Sequence, residues 1–350
     1  MPAQLLAAEA GGNPTPLSGE IGSAPTALKV EGNLLVANGR PIRLRGINWG
    51  WWHLSRTRYS EPDMQHLAQW GANTVRLAFS YSDLETDGNP AVWKEDGFKQ
   101  LDEVVQWAKR YGIYVILDMH VIPGGQDPAS YCAGGHDLFW TDPGAQERFI
   151  ALWCEIARRY RDRPEVAAYE LMNEPCSKQK TPEWLHSIDQ RAITAIRAVA
   201  PDKIIVVGGD EWSNPSALTD AMKLPDTNIL YTFHWYIATG DRKVTLPIDR
   251  AAFQKKMDQA AKFAAKFKVP VWVGEFGCDA SSKDYQTQWV NTSVSLFEQN
   301  GFSWTYWNDK EAASPEGMGL QAEHQDGSDY PVNETLLAAL RAGWALNQPL

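Results

Sequence analysis

The chain has 350 residues, 44% of them hydrophobic and 22% charged. That is an ordinary soluble globular composition, long enough for two domains or for one α/β barrel, which needs about 250 residues. The formal net charge of −10 argues against nucleic acid and anionic membranes as partners, because both demand basic surface, and no apolar run approaches the roughly 20 residues of a membrane-spanning helix.

Met1–Pro25 is rich in Ala, Gly, Pro and Ser, carries no period and lacks a basic start. It reads as a disordered leader or the remnant of a signal sequence, with residues 26–350 as one folded domain. A hairpin is predicted at Leu28–Glu31 and Leu34–Ala37, with Asn38-Gly39 turning toward a first core strand at Arg43–Trp49. Ser60 caps a helix that Gly71 ends. A strand at Thr74–Phe79 and a helix at Phe98–Tyr111, stopped by Gly112, come next. A strand at Tyr114–His120 leads to a helix at Pro143–Tyr160, which opens after Asp142 with proline in first position. The fourth strand, Val166–Asn173, precedes a helix that Thr181 caps and that runs from Pro182 to about Val199. Ile204–Gly209 is a fifth strand with a weak helical stretch at Ser216–Met222 after it, and Ile229–Tyr236 is a sixth, followed by the amphipathic helix Arg250–Phe267. A strand at Val269–Glu275, a helix at Lys283–Gln299, a strand at Phe302–Asn308 and a helix at Glu334–Ala345 complete the pattern.

Strand-then-helix units with continuous apolar strands imply a parallel sheet covered by helices. Eight such units predict an α/β fold, a closed (β/α)8 barrel, with the hairpin plugging its amino-terminal end. No glycine-rich phosphate loop follows an early strand, which argues against an open doubly wound sheet. Cys132, Cys154, Cys176 and Cys278 lack the short paired spacing of a zinc site. Cys154 reads as a buried thiol in a helix, and Cys132 and Cys176, in loops after neighbouring strands, are open to a disulfide.

In such a barrel, chemistry collects where strands end. Asn48-Trp49 with Trp51, Trp52 and His53, then Arg76, Asp118, His120, Asn173-Glu174, His234-Trp235-Tyr236, Glu275 and Trp307-Asn308-Asp309 all fall there. Two carboxylates at one mouth can break a glycosidic bond if one stays ionised and the other protonated. Arg76 and Tyr236 would favour the charged form of Glu275, making it the nucleophile. Partial desolvation and its neighbour's charge would raise the pKa of Glu174, making it the acid. Asn173 suits a sugar 2-hydroxyl, Trp307 the floor under the ring at the cleaved bond, and His120 and His234 supply further donors. Asp118 is expected to point away from His120 and to serve the structure, with Arg76 as an alternative partner for it. A metal site of His120, His234 and Glu275 lacks short ligand spacing, and no cofactor is expected, because two carboxylates supply acid, base and nucleophile. Sixteen tryptophans suit a groove that stacks pyranose rings, and Trp51, Trp52, Trp140, Trp212 and Trp235 are candidates to line it.

Five segments carry a family resemblance: Tyr169–Pro175 (YELMNEP), Val271–Gly277 (VWVGEFG), His234-Trp235-Tyr236, Thr74–Leu77 (TVRL) and Leu117–His120 (LDMH). In that context the chain, from about Leu28 to Ala345, resembles glycoside hydrolase family 5, the retaining cellulase-type barrels. The resemblance implies Glu174 as acid/base, Glu275 as nucleophile, and Arg76, His120, Asn173, His234, Tyr236 and Trp307 around the cleaved bond. Pro123–Gln126, Gly135 and Phe139-Trp140 are similar to a loop of members acting on β-glucans, and Arg45–Trp52 is similar to the aromatic-rich first loop of the β-1,3 enzymes. Trp51 and Trp140 are therefore added as substrate-binding candidates. The implied activity is endo-β-1,4-glucanase, with exo-β-1,3-glucanase or β-glucosidase-type action, β-mannanase and transglycosylase as alternatives. A carbohydrate-binding protein without catalysis would not need both glutamates. The expected partner is a β-linked oligo- or polysaccharide, and the enzyme is expected to be a secreted or periplasmic monomer. Retention predicts carboxyl groups about 5–5.5 Å apart, against about 6.5–9.5 Å for inversion.

Overall fold

Asn38 and Gly39 take positive φ (49° and 73°), the backbone a tight hairpin turn demands, and join β2 (Leu34–Ala37) to β3 (Arg40–Ile42). With β1 (Leu28–Glu31) they form a three-stranded antiparallel sheet, one strand more than the predicted hairpin. The structure, a computed structural model, describes residues 23–50, 59–88, 92–127, 136–177, 181–236, 246–278, 283–312, 318–323 and 331–347. Residues 1–22 of the predicted leader, Trp51, Trp52, His53, Cys132 and Gly135 lie outside the described residues, so the Cys132–Cys176 pairing does too.

Eight parallel strands close a barrel: β4 (Arg45–Trp49), β5 (Thr74–Ser80), β6 (Tyr114–Val121), β7 (Val166–Glu170), β8 (Ile204–Gly208), β9 (Ile229–Tyr236), β10 (Val271–Gly277) and β11 (Ser303–Tyr306), with β11 returning to β4. Apart from the half-buried Tyr236, every residue of these strands is buried, which is why they read as unbroken apolar runs. The helices are α1 (Glu61–Trp70), α2 (Tyr81–Leu84), α3 (Glu95–Tyr111), α4 (Pro143–Tyr160), α5 (Pro182–Arg197), α6 (Asp210–Ser213), which is a four-residue turn with left-handed backbone at its last three residues, α7 (Arg250–Phe267), α8 (Lys283–Asn300) and α9 (Glu334–Trp344). A small parallel pair, β12 (Lys310–Ala312) and β13 (Gln321–Glu323), follows β11. The predicted punctuation operates: Asp142 accepts from Gly144 N, Thr181 from Trp184 N, and Gly71 and Gly112 end their helices at φ 101° and 71°.

The barrel interior has two storeys. Below, Leu28 and Leu35 of the hairpin sheet pack against Tyr114, Ile116, Ala168, Ile204, Leu230 and Trp272 in one buried cluster. The amino-terminal sheet therefore plugs the bottom, as predicted. The storey above it is polar.

Two strand ends differ from expectation. β7 stops at Glu170 rather than Asn173: Leu171 N still makes a regular ladder bond to Val206 O (3.2 Å), but Asn173 N then reaches Met119 O (3.3 Å) on the opposite neighbour, out of the alternation. Glu174 then takes a left-handed backbone, φ 41°, beyond the strand. β11 stops at Tyr306, just before Trp307.

Candidate active site

Side-chain parity builds the polar storey. Residues two apart on a strand share a face, so Asp118 and His120 point inward together, as do His234 and Tyr236, while Trp235 points out. Trp235 accordingly packs on Phe253 and donates to Ser293 Oγ, away from the mouth. The expectation that Asp118 faces away from His120 fails on this parity: His120 Nδ1 and Asp118 Oδ2 are 2.6 Å apart.

Arg76 is fully buried and organises this layer. Its Nη1 donates to Glu275 Oε1 (2.5 Å) and to Asn48 Oδ1 (3.1 Å), its Nη2 donates to Asn173 Oδ1 (2.9 Å), and Nη2 forms an ion pair with Asp118 Oδ2 (3.0 Å). Nε and Nη2 together grip Glu170 in a bidentate pair at 2.6 and 3.0 Å. A guanidinium buried among three carboxylates keeps its proton, and its pKa rises well above the ordinary arginine value despite burial.

Glu275 sits on β10 next to His234 of β9, after a register shift at Gly274. A Cβ at Gly274 would lie 2.7 Å from Thr232 Oγ1 and 3.1 Å from His234 Nε2, so only glycine lets β10 bulge there and aim the carboxylate inward. Tyr236 Oη donates to Glu275 Oε2 at 2.7 Å. Burial pushes the Glu275 carboxyl upward, but the charges of His234, Arg76 and His120 and the Tyr236 hydrogen bond outweigh it and hold it at about 2. This residue is an anion waiting beside a cation.

Glu174 differs. Its side chain is 17% exposed, and its Oε1 meets His234 Nδ1 at 2.7 Å. His234 Nδ1 also lies 3.6 Å from Glu275 Oε2, so one imidazole bridges the two acids. Burial opposes charge on His234, but Glu275 and Glu174 outweigh it and raise its pKa. One carboxylate oxygen of each glutamate and a nitrogen of His234 lie within 4.8 Å of one another. Such a trio could hold a cation. Here, however, Glu275 already accepts from Arg76 and Tyr236, and His234 Nδ1 already pairs with Glu174.

Asn173 is fixed from two sides, its Oδ1 by Arg76 and its Nδ2 3.3 Å from His120 Nε2. His120 in turn stacks on Trp307, centroids 5.4 Å apart and 18° between planes, which sets the tryptophan at the mouth. The structure thus brings together Arg76, His120, Asn173, Glu174, His234, Tyr236, Glu275 and Trp307. It does not bring Trp140 to them: Trp140 is buried, packs on Phe139 and Trp184, and donates to Gln126 O (2.9 Å). Trp51 lies outside the described residues.

Three contributors were given no role in the site by the sequence. Glu170 is a lone acid in the apolar run VAAYE, a signal that a buried partner waits for it. Burial, against the pull of Arg76, pushes its carboxyl up to about 7. Asn48 ties Arg76 to the backbone carbonyls of Gly274, Thr305 and Tyr306. Gln126 Nε2 donates to His120 O (2.7 Å) and Asn173 O (2.9 Å), pinning two strand ends from a loop whose glutamine carries no periodic signal.

A family model described as "Cellulase (glycosyl hydrolase family 5)" matches residues 35–312. The chain belongs to glycosyl hydrolase family 5. Among family relatives, Endoglucanase C of Acetivibrio thermocellus is 27% identical over 349 residues, covering 84% of this chain and 97% of that protein. A crystal structure of an endoglucanase from the hyperthermophilic Thermotoga maritima superposes with a TM-score of 0.70 at 27% identity, covering 85% of this chain and 96% of that one. The Thermotoga protein crystallised with mannotriose matches equally, at 26% identity, TM-score 0.70, and coverage of 85% and 97%. This family 5 chain is therefore a retaining glycoside hydrolase acting on β-glycosidic bonds.

Proposed function

We propose that the chain is an endo-β-1,4-glucanase in which Glu275 is the nucleophile and Glu174 the acid/base. One observation carries the roles: two carboxylates share a site, but only Glu275 is gripped by Arg76 and Tyr236, while Glu174 is partly open to solvent and touches His234. In the first step a Glu275 oxygen attacks the anomeric carbon as Glu174 delivers its proton to the glycosidic oxygen. The bond to the leaving sugar breaks and a glycosyl ester of Glu275 forms. In the second step Glu174, now a carboxylate, takes a proton from water as that water attacks the anomeric carbon and expels Glu275. Two inversions leave the β configuration. Arg76 and Tyr236 stabilise the departing carboxylate, Asn173 takes the sugar 2-hydroxyl, and Trp307 lies under the ring.

The substrate assignment rests on relatives named endoglucanase. The mannotriose complex of the Thermotoga protein favours mannan as a second substrate. A polymeric glucan is met outside the cytoplasm, so the reading carries with it a secreted or periplasmic enzyme with residues 26–350 as its catalytic domain. No described helix is long and apolar enough to cross a membrane.

The test is proton NMR of early products from a cello-oligosaccharide, beside a panel of cellulose, mixed-linkage glucan, laminarin and mannan. The β anomer should form first, cellulose and mixed-linkage glucan should lead the panel, and Glu275→Gln should abolish release. Initial α product, or unchanged hydrolysis by that variant, would refute the mechanism.

A further inference from the structure

Glu211, Trp212 and Ser213 take left-handed φ values of 57°, 58° and 55° in succession, a backbone that non-glycine residues rarely adopt even singly. Such a turn persists only where its surroundings fix it, and here they do. Trp212 N donates to Pro175 O at 3.1 Å. Asp210 accepts from Ser177 N (2.9 Å), Ser177 Oγ (2.5 Å) and Glu211 N (2.8 Å). The loop after β8 is thereby bolted to the segment that directly follows Glu174.

The turn leaves a large apolar side chain outside: Trp212 is 43% exposed. Its indole is nevertheless oriented, because Nε1 donates to Asp127 Oδ2 at 2.5 Å, and Asp127 itself is 1% exposed. Asp127 follows Gln126, the residue that ties His120 O to Asn173 O, so the anchor is rigid with respect to the catalytic edge. An exposed ring held by its polar edge keeps its face toward a ligand at little entropic cost.

We propose that Asp127 is a positioning residue that selects for sugar leaving groups, by holding the Trp212 indole as a platform on the acid/base side of the site. The proposal rests on the assignment of Glu174 as the acid, since the group that protonates the leaving oxygen defines that side. The carboxylate of Asp127 touches no substrate; it fixes the plane of a ring that does.

The experiment compares kcat/KM for a cello-oligosaccharide with that for β-cellobiosyl fluoride, whose one-atom leaving group cannot reach Trp212. In Asp127→Ala and in Trp212→Phe, which keeps a ring but has no N–H, the ratio of oligosaccharide to fluoride should fall about three- to tenfold. Asp127→Asn, which still offers an acceptor, should hold the wild-type ratio. The double variant should be no worse than either single one. A fall in both substrates together, leaving the ratio unmoved, would make Asp127 a merely structural residue and overturn the proposal, as would an unchanged ratio in Trp212→Phe. That surface variant carries the test should Asp127→Ala fold poorly. Failure of the catalytic assignment shows separately: Glu174→Gln should lose far more on the oligosaccharide than on the fluoride, which leaves without a proton, and equal loss on both would remove Glu174 as the acid.

Discussion

Glu174 and Glu275 are the same side chain in two different solvents. Glu275 lies in a storey with buried Arg76, His120 and His234, and these groups together with the Tyr236 hydroxyl favour the anion. Glu174 stands past the end of β7 on a left-handed backbone, 17% exposed, with His234 against one oxygen. A nucleophile needs a fixed position and a fixed charge, whereas an acid/base must gain and lose a proton with each turnover. The welded environment serves the first task and the half-open one the second. Division of labour here comes from placement, not from residue type.

Removing each carboxylate in turn is the most severe way to break the comparison. Glu174→Ala should lose on the order of 10²- to 10⁴-fold on oligosaccharides, the range for a lost general acid. It should lose far less in the glycosylation step with an aryl glycoside whose leaving group needs no proton. Azide should restore turnover in that variant and give the β-glycosyl azide, because it attacks the glycosyl ester without a base. Glu275→Ala with azide and a glycosyl fluoride should give the α-azide instead. Exchanged products, read by NMR, would exchange the roles.

This asymmetry was only half legible in the sequence. The eight apolar runs declare the barrel because a parallel strand buried on both faces has no alternative pattern; Glu174, Glu275 and Tyr236 stand at strand ends where chemistry gathers, and Arg76 is a lone charge inside an apolar run. The charge environment was less readable. Glu170 grips the same guanidinium as Glu275 from a different strand, and only barrel closure brings β5, β7 and β10 to one point. Asp118 was misplaced through parity, a property legible in any strand. Trp140 was drawn into the site by its loop, although its indole serves to hold that loop on Gln126 O. Trp212 owes its exposure to three left-handed residues that no local propensity announces.

A milder change sharpens the comparison on the nucleophile side. Tyr236→Phe deletes one charge-assisted hydrogen bond to Glu275 Oε2 and leaves Arg76 and His234 in place. Such a bond is worth roughly 1.5–3 kcal/mol, so kcat should fall about 10- to 100-fold. The acid limb of the pH–rate profile should move to higher pH, because the lost donor had favoured the anion. A rate loss with an unmoved limb would mean that Tyr236 positions sugar and leaves the charge of Glu275 to others.

A last effect is on stability, with no loss of rate to read, and it sets Glu275 against the acid beneath it. Glu275 is held at about 2 in the folded protein, below its ordinary 4.5, so its ionised form stabilises the fold above pH 4.5. That stability is lost as pH falls from 4.5 toward 2. Glu170 runs the other way. Its folded value of about 7 lies above 4.5, so the native state holds a proton the unfolded chain releases, and stability falls as pH rises from 4.5 toward 7. Each shift corresponds to stability on the order of 3 kcal/mol. Denaturant unfolding between pH 3 and 8 should therefore give a curve that bends down on both sides. Glu275→Gln should flatten the acid arm and Glu170→Gln the neutral arm, each leaving the other arm in place. If Glu275→Gln instead runs parallel to wild type below pH 4.5, the nucleophile is not held as an anion by the fold, and Arg76 must be assigned chiefly to Glu170.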